Sequence, residues 1–354
     1  MSSLLEKTIE SIGTPNASME EAARERLRQQ ARPAGSLGML ETLSARLAGI
    51  AGTLNVHLNQ KVIVTCAGDH GVVAEGVSRF PQEVTKLMVL NFVNDGASIN
   101  VLARHAGARV CVADLGVNCD FSPDLPIFHK KVAHGTGNLA VEPAMTREQA
   151  IRSLEAGIEI VEELLQQGPL DILGTGDMGI ANTTPSSAII AAFSGLEASE
   201  VTGRGTGIDD SALQNKIRVI NQALKHHQPN PDDALDVLAK VGGLEIGGLA
   251  GLVLGAAAHG IPVVCDGLIS TAGALVACKL APRAKAYLFA SHRSVEVGHR
   301  FMHQQLNLEP ILDFGMRLGE GTGAALAMEI LDASTRVLAD IKTFDEVAIA
   351  DAQK

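Results

Sequence analysis

The stretch Gly174-Thr175-Gly176-Asp177-Met178-Gly179-Ile180-Ala181-Asn182-Thr183-Thr184-Pro185 decides how the rest of the chain is read. It follows the apolar run Leu170 to Leu173, which reads as a buried strand. It precedes Ser186 to Phe193, which reads as a helix. A strand, a glycine-rich turn and a helix start make a phosphate cradle, because glycines let backbone approach an anion and the first helical amides point at it. Thr184 is placed to cap that helix and Pro185 to open it.

Outward from this stretch, short apolar runs alternate with helical patterns. Lys61 to Cys66, Val110 to Ala113, Pro262 to Cys265 and Tyr287 to Ala290 read as strands. Helical periodicity covers 17–31, 39–50, 97–105, 211–226, 232–240 and 244–258. Pro81 is expected to open another helix with Val84, Leu87, Met88 and Asn91 on one face. Thr146-Arg147-Glu148-Gln149 fits a capping box for a helix ending at Gly168. Met316 to Gly323 reads as a glycine-rich loop with Thr322 capping a helix from about 323 to 341. The alternation predicts an α/β fold, a mostly parallel sheet flanked by helices, with ligand beyond the strands' carboxyl ends. Polar punctuation gathers at those ends: Asp69-His70, Asp114, Asp177, Asp266 and Ser291-His292.

Composition narrows the function classes. A net charge of −11 without a basic patch, one Tyr and no Trp argue against a nucleic-acid partner. No apolar run reaches the roughly 18 residues of a membrane span. Residues 1–15 have no apolar signal-peptide core, so a cytoplasmic protein is expected. Five cysteines without CxxC spacing argue against a disulfide framework or a zinc site.

Several chemistries compete for the loops. Gly174 to Gly179 matches GxGxxG, but the expected helix starts five residues too late and no acidic residue clearly ends a strand about 20 positions on. No GxxxxGK[ST] or GxSxG motif is present, and Asp69-His70 lacks partners at ligand spacing. A non-catalytic sugar-phosphate sensor is the remaining alternative.

Seven segments then carry a resemblance: Gly35-Ser36-Leu37-Gly38, Asp69-His70-Gly71, Gly179 to Pro185, Lys240-Val241-Gly242-Gly243, Asp266-Gly267, Ser291-His292, and Met316 to Met328. In that order they resemble the nicotinate-nucleotide–dimethylbenzimidazole phosphoribosyltransferase family. The resemblance implies a homodimer with no cofactor and no metal. It implies a Rossmann-like large domain over 56–300 and a small helical domain made from 1–55 with 301–354. The implied reaction moves phosphoribose from nicotinate mononucleotide to a benzimidazole-type base, giving α-ribazole 5′-phosphate and nicotinate, in assembly of the cobalamin nucleotide loop.

By the same resemblance Glu320, as general base, and Asp177 are the catalytic residues, Asp177 standing where some relatives carry the longer glutamate. Phosphate anchoring falls on Gly179, Asn182, Thr183, Thr184, Lys216 and Ser291. Gly176, Asp266 and Leu318 also fall against substrate. Phe80 and Met88 take places where well-known members carry Ser and Gln, which implies a less polar base slot. A helix dipole beside Glu320 would weaken it as a base, so burial must offset the dipole.

Overall fold

The computed structural model describes residues 3–347. Seven strands form one parallel sheet: β1 (Lys61–Gly68), β2 (Ala108–Gly116), β3 (Phe128–His129), β4 (Ile172–Met178), β5 (Val263–Cys265), β6 (Leu288–His292) and β7 (Pro310–Leu312). The helices are α1 (Leu4–Ser11), α2 (Ala17–Gln29), α3 (Met39–Ala51), α4 (Glu83–Val93), α5 (Ser98–His105), α6 (Arg147–Gln167), α7 (Thr183–Ser194), α8 (Ala198–Val201), α9 (Asp210–His227), α10 (Ala234–Val241), α11 (Leu244–Ala258), α12 (Leu268–Leu280), α13 (Val297–Leu306) and α14 (Thr322–Asp340). The strand order is β3-β2-β1-β4-β5-β6-β7, so the order reverses between β1 and β4. A doubly wound sheet opens its ligand crevice at that reversal, beyond the strand carboxyl ends.

Both faces of the sheet are covered. Along β1, Val62, Val64 and Cys66 enter one apolar core while Ile63 and Ala67 enter the other. Helices α6, α11 and α12 cover the first face; α5 and α14 cover the second. α11 is buried along nearly its whole length, as its hydrophobic surround requires. It crosses α6 glycine to glycine: a Cβ at Gly157 would collide with the Gly248 carbonyl oxygen. Helices α2 and α3 pack on α14, and Gln30 bridges to Thr343, so the segments after α2 and after α14 meet on this side. α1 packs instead on α6 and α11.

The capping box at Thr146 forms as expected, with Thr146 Oγ1 accepting from the Gln149 amide. Four expectations are corrected. The glycine-rich stretch is not a turn through Gly176, since β4 runs on to Met178 and pairs with β1 over its full length. Gly174 and Gly176 are small because neighbours crowd them: a Cβ at Gly176 would collide with the Glu320 carbonyl oxygen. Thr184 is not the N-cap of α7; Asn182 holds that place and Pro185 is the third residue of the helix. Likewise Thr322 is the first residue of α14, and Gly321 precedes it at φ +101°. On α4 the buried face is Thr85, Val89 and Phe92; Leu87 is exposed, and Val84 and Met88 turn to the cavity described below. The short elements β3, β7 and α8, together with α1, α12 and α13, had no expectation.

Candidate active site

A cavity of about 530 Å³ opens beyond the carboxyl ends of β1 and β4, where the strand order reverses. Its floor is Asp177 to Thr183, the turn joining β4 to α7. One wall is Phe80 with Val84 and Met88 of α4. Another part of the lining is Arg317 to Glu320, the segment leading into α14. Leu268, Ile269, Ser294, Glu296 and the Gly205-Thr206 loop complete it.

Glu320 sits at this wall in a left-handed conformation, φ +66°, which costs an L residue strain and persists only where surroundings enforce it. The surroundings do so. Its N–H donates to the Asp177 carbonyl at 3.1 Å, and its carbonyl accepts from Thr65 Oγ1 at 2.8 Å. Oε2 accepts from the Ile99 amide at 3.1 Å, at the N-terminus of α5. Burial raises the carboxyl above its ordinary range, and the Ile99 amide opposes this without cancelling it. The offset needed against a helix dipole is therefore present, although the amide belongs to α5 and not to α14.

Asp177 is more perturbed. Burial pushes its pKa up to about 7, against a bond from Asn182 Nδ2 at 2.9 Å, while the charges of Glu245 and Glu320 add to the rise. Its Oδ1 has no hydrogen-bond partner among the described residues. Asn182 thus spends its side chain on Asp177 and not on capping α7.

The sequence candidates divide into two groups. Phe80, Met88, Asp177, Gly179, Asn182, Thr183, Leu318 and Glu320 line the cavity together. Five others stand behind its surface. Gly176 admits the Glu320 backbone. Thr184 is fully buried, its hydroxyl without a partner among the described residues. Lys216, also buried, donates from Nζ to Thr183 Oγ1 at 2.6 Å; burial lowers its pKa to about 8 while Glu296 pulls the other way. Asp266 accepts from the amides of Gly321 (3.1 Å), Gly323 (2.7 Å) and Ala324 (3.1 Å), fastening the start of α14. Ser291 Oγ donates to the Asp266 carbonyl at 3.1 Å and lies 2.9 Å from His292 Nδ1.

Several groups carried no expectation as site residues. Glu296 Oε1 accepts from the Gly205 amide at 2.9 Å, and Arg317 Nη1 donates to the Gly205 carbonyl at 3.3 Å. Arg317 lies within the Met316 to Met328 run, whereas no quoted motif contains Glu296. His70 and Glu245 form a fully buried pair, Nε2 to Oε1 at 2.8 Å, behind Gly179. Burial works to lower His70, but the charge and hydrogen bond of Glu245 prevail and raise it. Asp69 accepts from the Asn118 amide, and Asp114 pairs with Lys131 at 2.8 Å, so both strand-end carboxylates hold loops.

A stability test follows from Asp177. Its folded pKa lies above its unfolded value of about 3.9, so the folded state binds the extra proton between them and stability falls as pH rises through that window. Asp177→Asn mimics the protonated form. It is expected to melt at a higher temperature than the parent at pH 8 and at nearly the same temperature at pH 4. Equal melting temperatures at pH 8 would remove the perturbed carboxyl from this account.

A family model described as phosphoribosyltransferase matches residues 12–349 of the chain. The nicotinate-nucleotide–dimethylbenzimidazole phosphoribosyltransferase of Syntrophobacter fumaroxidans is 56% identical over 348 residues, covering 98% of each chain. The protein of that name from Geobacter sp. strain M21 is 54% identical over 346 residues, 98% of this chain and 99% of its own. The crystal structure of CobT from Thermus thermophilus superposes with a TM-score of 0.91 at 44% identity, covering 94% of this chain and 99% of that one.

Proposed function

The chain belongs to the nicotinate-nucleotide–dimethylbenzimidazole phosphoribosyltransferase family, and from that premise we propose that its cavity moves phosphoribose from nicotinate mononucleotide to 5,6-dimethylbenzimidazole or a close analogue. The products are α-ribazole 5′-phosphate and nicotinate. The observation that supports this most is Glu320: a strained, buried carboxyl with raised pKa, lining the same cavity of substrate size as the apolar Phe80, Val84 and Met88.

In this reading the base lies against Phe80, Val84 and Met88. Glu320 Oε2 is engaged by Ile99, so Oε1 accepts the benzimidazole N–H. The proton passes to Glu320 while the other ring nitrogen attacks the anomeric carbon. The bond from that carbon to the pyridinium nitrogen breaks, and its electron pair returns to the departing nicotinate. Attack opposite the leaving group inverts the configuration. The 5′-phosphate rests on Asn182, Thr183 and the first amides of α7, with Lys216 supplying charge through Thr183. Ser291, Asp266, Gly176 and Thr184 act from behind, by holding the walls in place.

The reading extends to a homodimer in the cytosol, supported by the resemblance and by five cysteines free of disulfides. No helix among the described residues is long and apolar enough to cross a membrane. The division into a large unit, 56–300, and a small one from 1–55 and 301–354 is part of the same proposal; the packing of α2 and α3 on α14 supports it, whereas α1 packs on α6 and α11 of the large unit.

One chromatographic assay tests the reaction: nicotinate should be released from its mononucleotide only when a benzimidazole is present. The same assay run in competition tests the base slot. Phe80 and Met88 offer bulk and polarizable contact, not hydrogen bonds. Unsubstituted and less polar bases are therefore expected to compete well, and an undiminished, exclusive preference for dimethylbenzimidazole would remove both residues from specificity.

A further inference from the structure

Among the described residues the cavity has three carboxyl groups on its walls, Asp177, Glu296 and Glu320, and one cation, Arg317. Lys216 is the second cation nearby, but it stands behind Thr183 and is spoken for by that hydroxyl. Arg317 is exposed at the rim. It makes a single hydrogen bond, to the Gly205 carbonyl at 3.3 Å, and no ion pair among the described residues. Most of its donor fork is uncommitted. Gly207 leaves it room, since a Cβ there would stand 3.9 Å from Nη1.

The donor proposed above carries two anionic groups, a phosphate and a ring carboxylate. The phosphate has its place at the start of α7. The carboxylate needs a cation in a lining whose other charged groups are acidic. We propose that Arg317 is the residue that selects the donor, its guanidinium pairing with the carboxylate of the nicotinate ring; this rests on the reaction proposed above. A planar fork of N–H donors matches a carboxylate in bidentate fashion, which an ammonium does not.

The pairing also acts on the rate. In the bound nucleotide the ring nitrogen is positively charged and partly offsets its own carboxylate. As the bond to the sugar breaks, the electron pair returns to nitrogen and that positive charge disappears. The ring leaves as an anion, and the attraction of Arg317 for it grows. An interaction stronger in the transition state than in the ground state raises kcat. A nicotinamide ring has no carboxylate and gains nothing from Arg317.

The test compares nicotinate mononucleotide with nicotinamide mononucleotide as donors to dimethylbenzimidazole, for the parent and for Arg317→Met and Arg317→Lys. Arg317→Met is expected to lose about 30-fold in kcat/KM with the nicotinate donor, the scale of one charge-assisted pair at a partly wet rim. With the nicotinamide donor the loss should be under about threefold, and the KM of the benzimidazole should hold. Arg317→Lys should recover part of the difference. Equal losses on both donors would show that Arg317 only clasps the Gly205 loop, and no loss on either would show that it does nothing here; both overturn the assignment alone. A parent protein inactive with both donors overturns the reaction reading and this assignment with it.

Discussion

Glu320→Gln is expected to lower kcat about 10³-fold or more while the Kd for nicotinate mononucleotide changes less than about threefold. The substitution keeps size and shape, and one amide oxygen can still accept from the Ile99 N–H. That orientation turns the amide NH₂ toward the base. A donor then faces the N–H of the benzimidazole, so the ring is neither oriented nor relieved of its proton. The nucleotide touches Glu320 little in this reading, and its phosphate end lies at Thr183 and Lys216. Calorimetric binding with single-turnover kinetics separates the two effects. A pH profile adds an independent check. Burial raises the Glu320 pKa, so the parent should lose activity as pH falls through that raised value. The residual activity of the variant should lack that acid limb. Near-normal turnover in Glu320→Gln would remove the carboxyl from its role.

How much of this was legible beforehand depended on whether the physical cause was local. The alternation of strands and helices was legible, since burial on two faces writes itself into apolar runs such as Lys61 to Cys66 and Leu170 to Leu173. The Thr146 capping box was legible because both partners lie within four residues. The cap of α14 was not: its acceptor is Asp266, more than 50 residues away, so Thr322 looked like the nearest candidate. The same reason explains Gly174 and Gly176. Glycine in sequence suggests a turn, but here it marks a strand crowded by Ile63 and α14 side chains at Gly174 and by the Glu320 loop at Gly176, neighbours that only the fold supplies. Short edge strands such as Phe128–His129 carry too few residues to show a period. Strand-end polar residues drew attention to the right end of the sheet without separating roles. Asp177 reached the cavity, whereas Asp69, Asp114 and Asp266 hold loops.

The role of Asp266 gives the second large effect, one on stability as much as on rate. The start of α14 must satisfy its orphan amides, and Gly321 offers no side chain. Asp266 meets three of them, the amides of Gly321, Gly323 and Ala324, with its carboxyl fully buried. Asp266→Ala leaves these donors buried without an acceptor, at roughly 1–3 kcal/mol each and less than additively. A loss of about 4 kcal/mol in urea unfolding is expected, which in a chain this large lowers Tm by roughly 5 °C. Asp266→Asn keeps one acceptor oxygen and should fall between. Because Glu320 directly precedes the amides that Asp266 holds, kcat should drop about 100-fold in Asp266→Ala even well below its melting temperature. Ser291, bonded to the Asp266 main-chain carbonyl and not to its carboxylate, should give a smaller loss when changed to Ala. If Asp266→Ala were to melt within about 1 °C of the parent, α14 would be capped some other way, and the strained seat of Glu320 would lose the support described here.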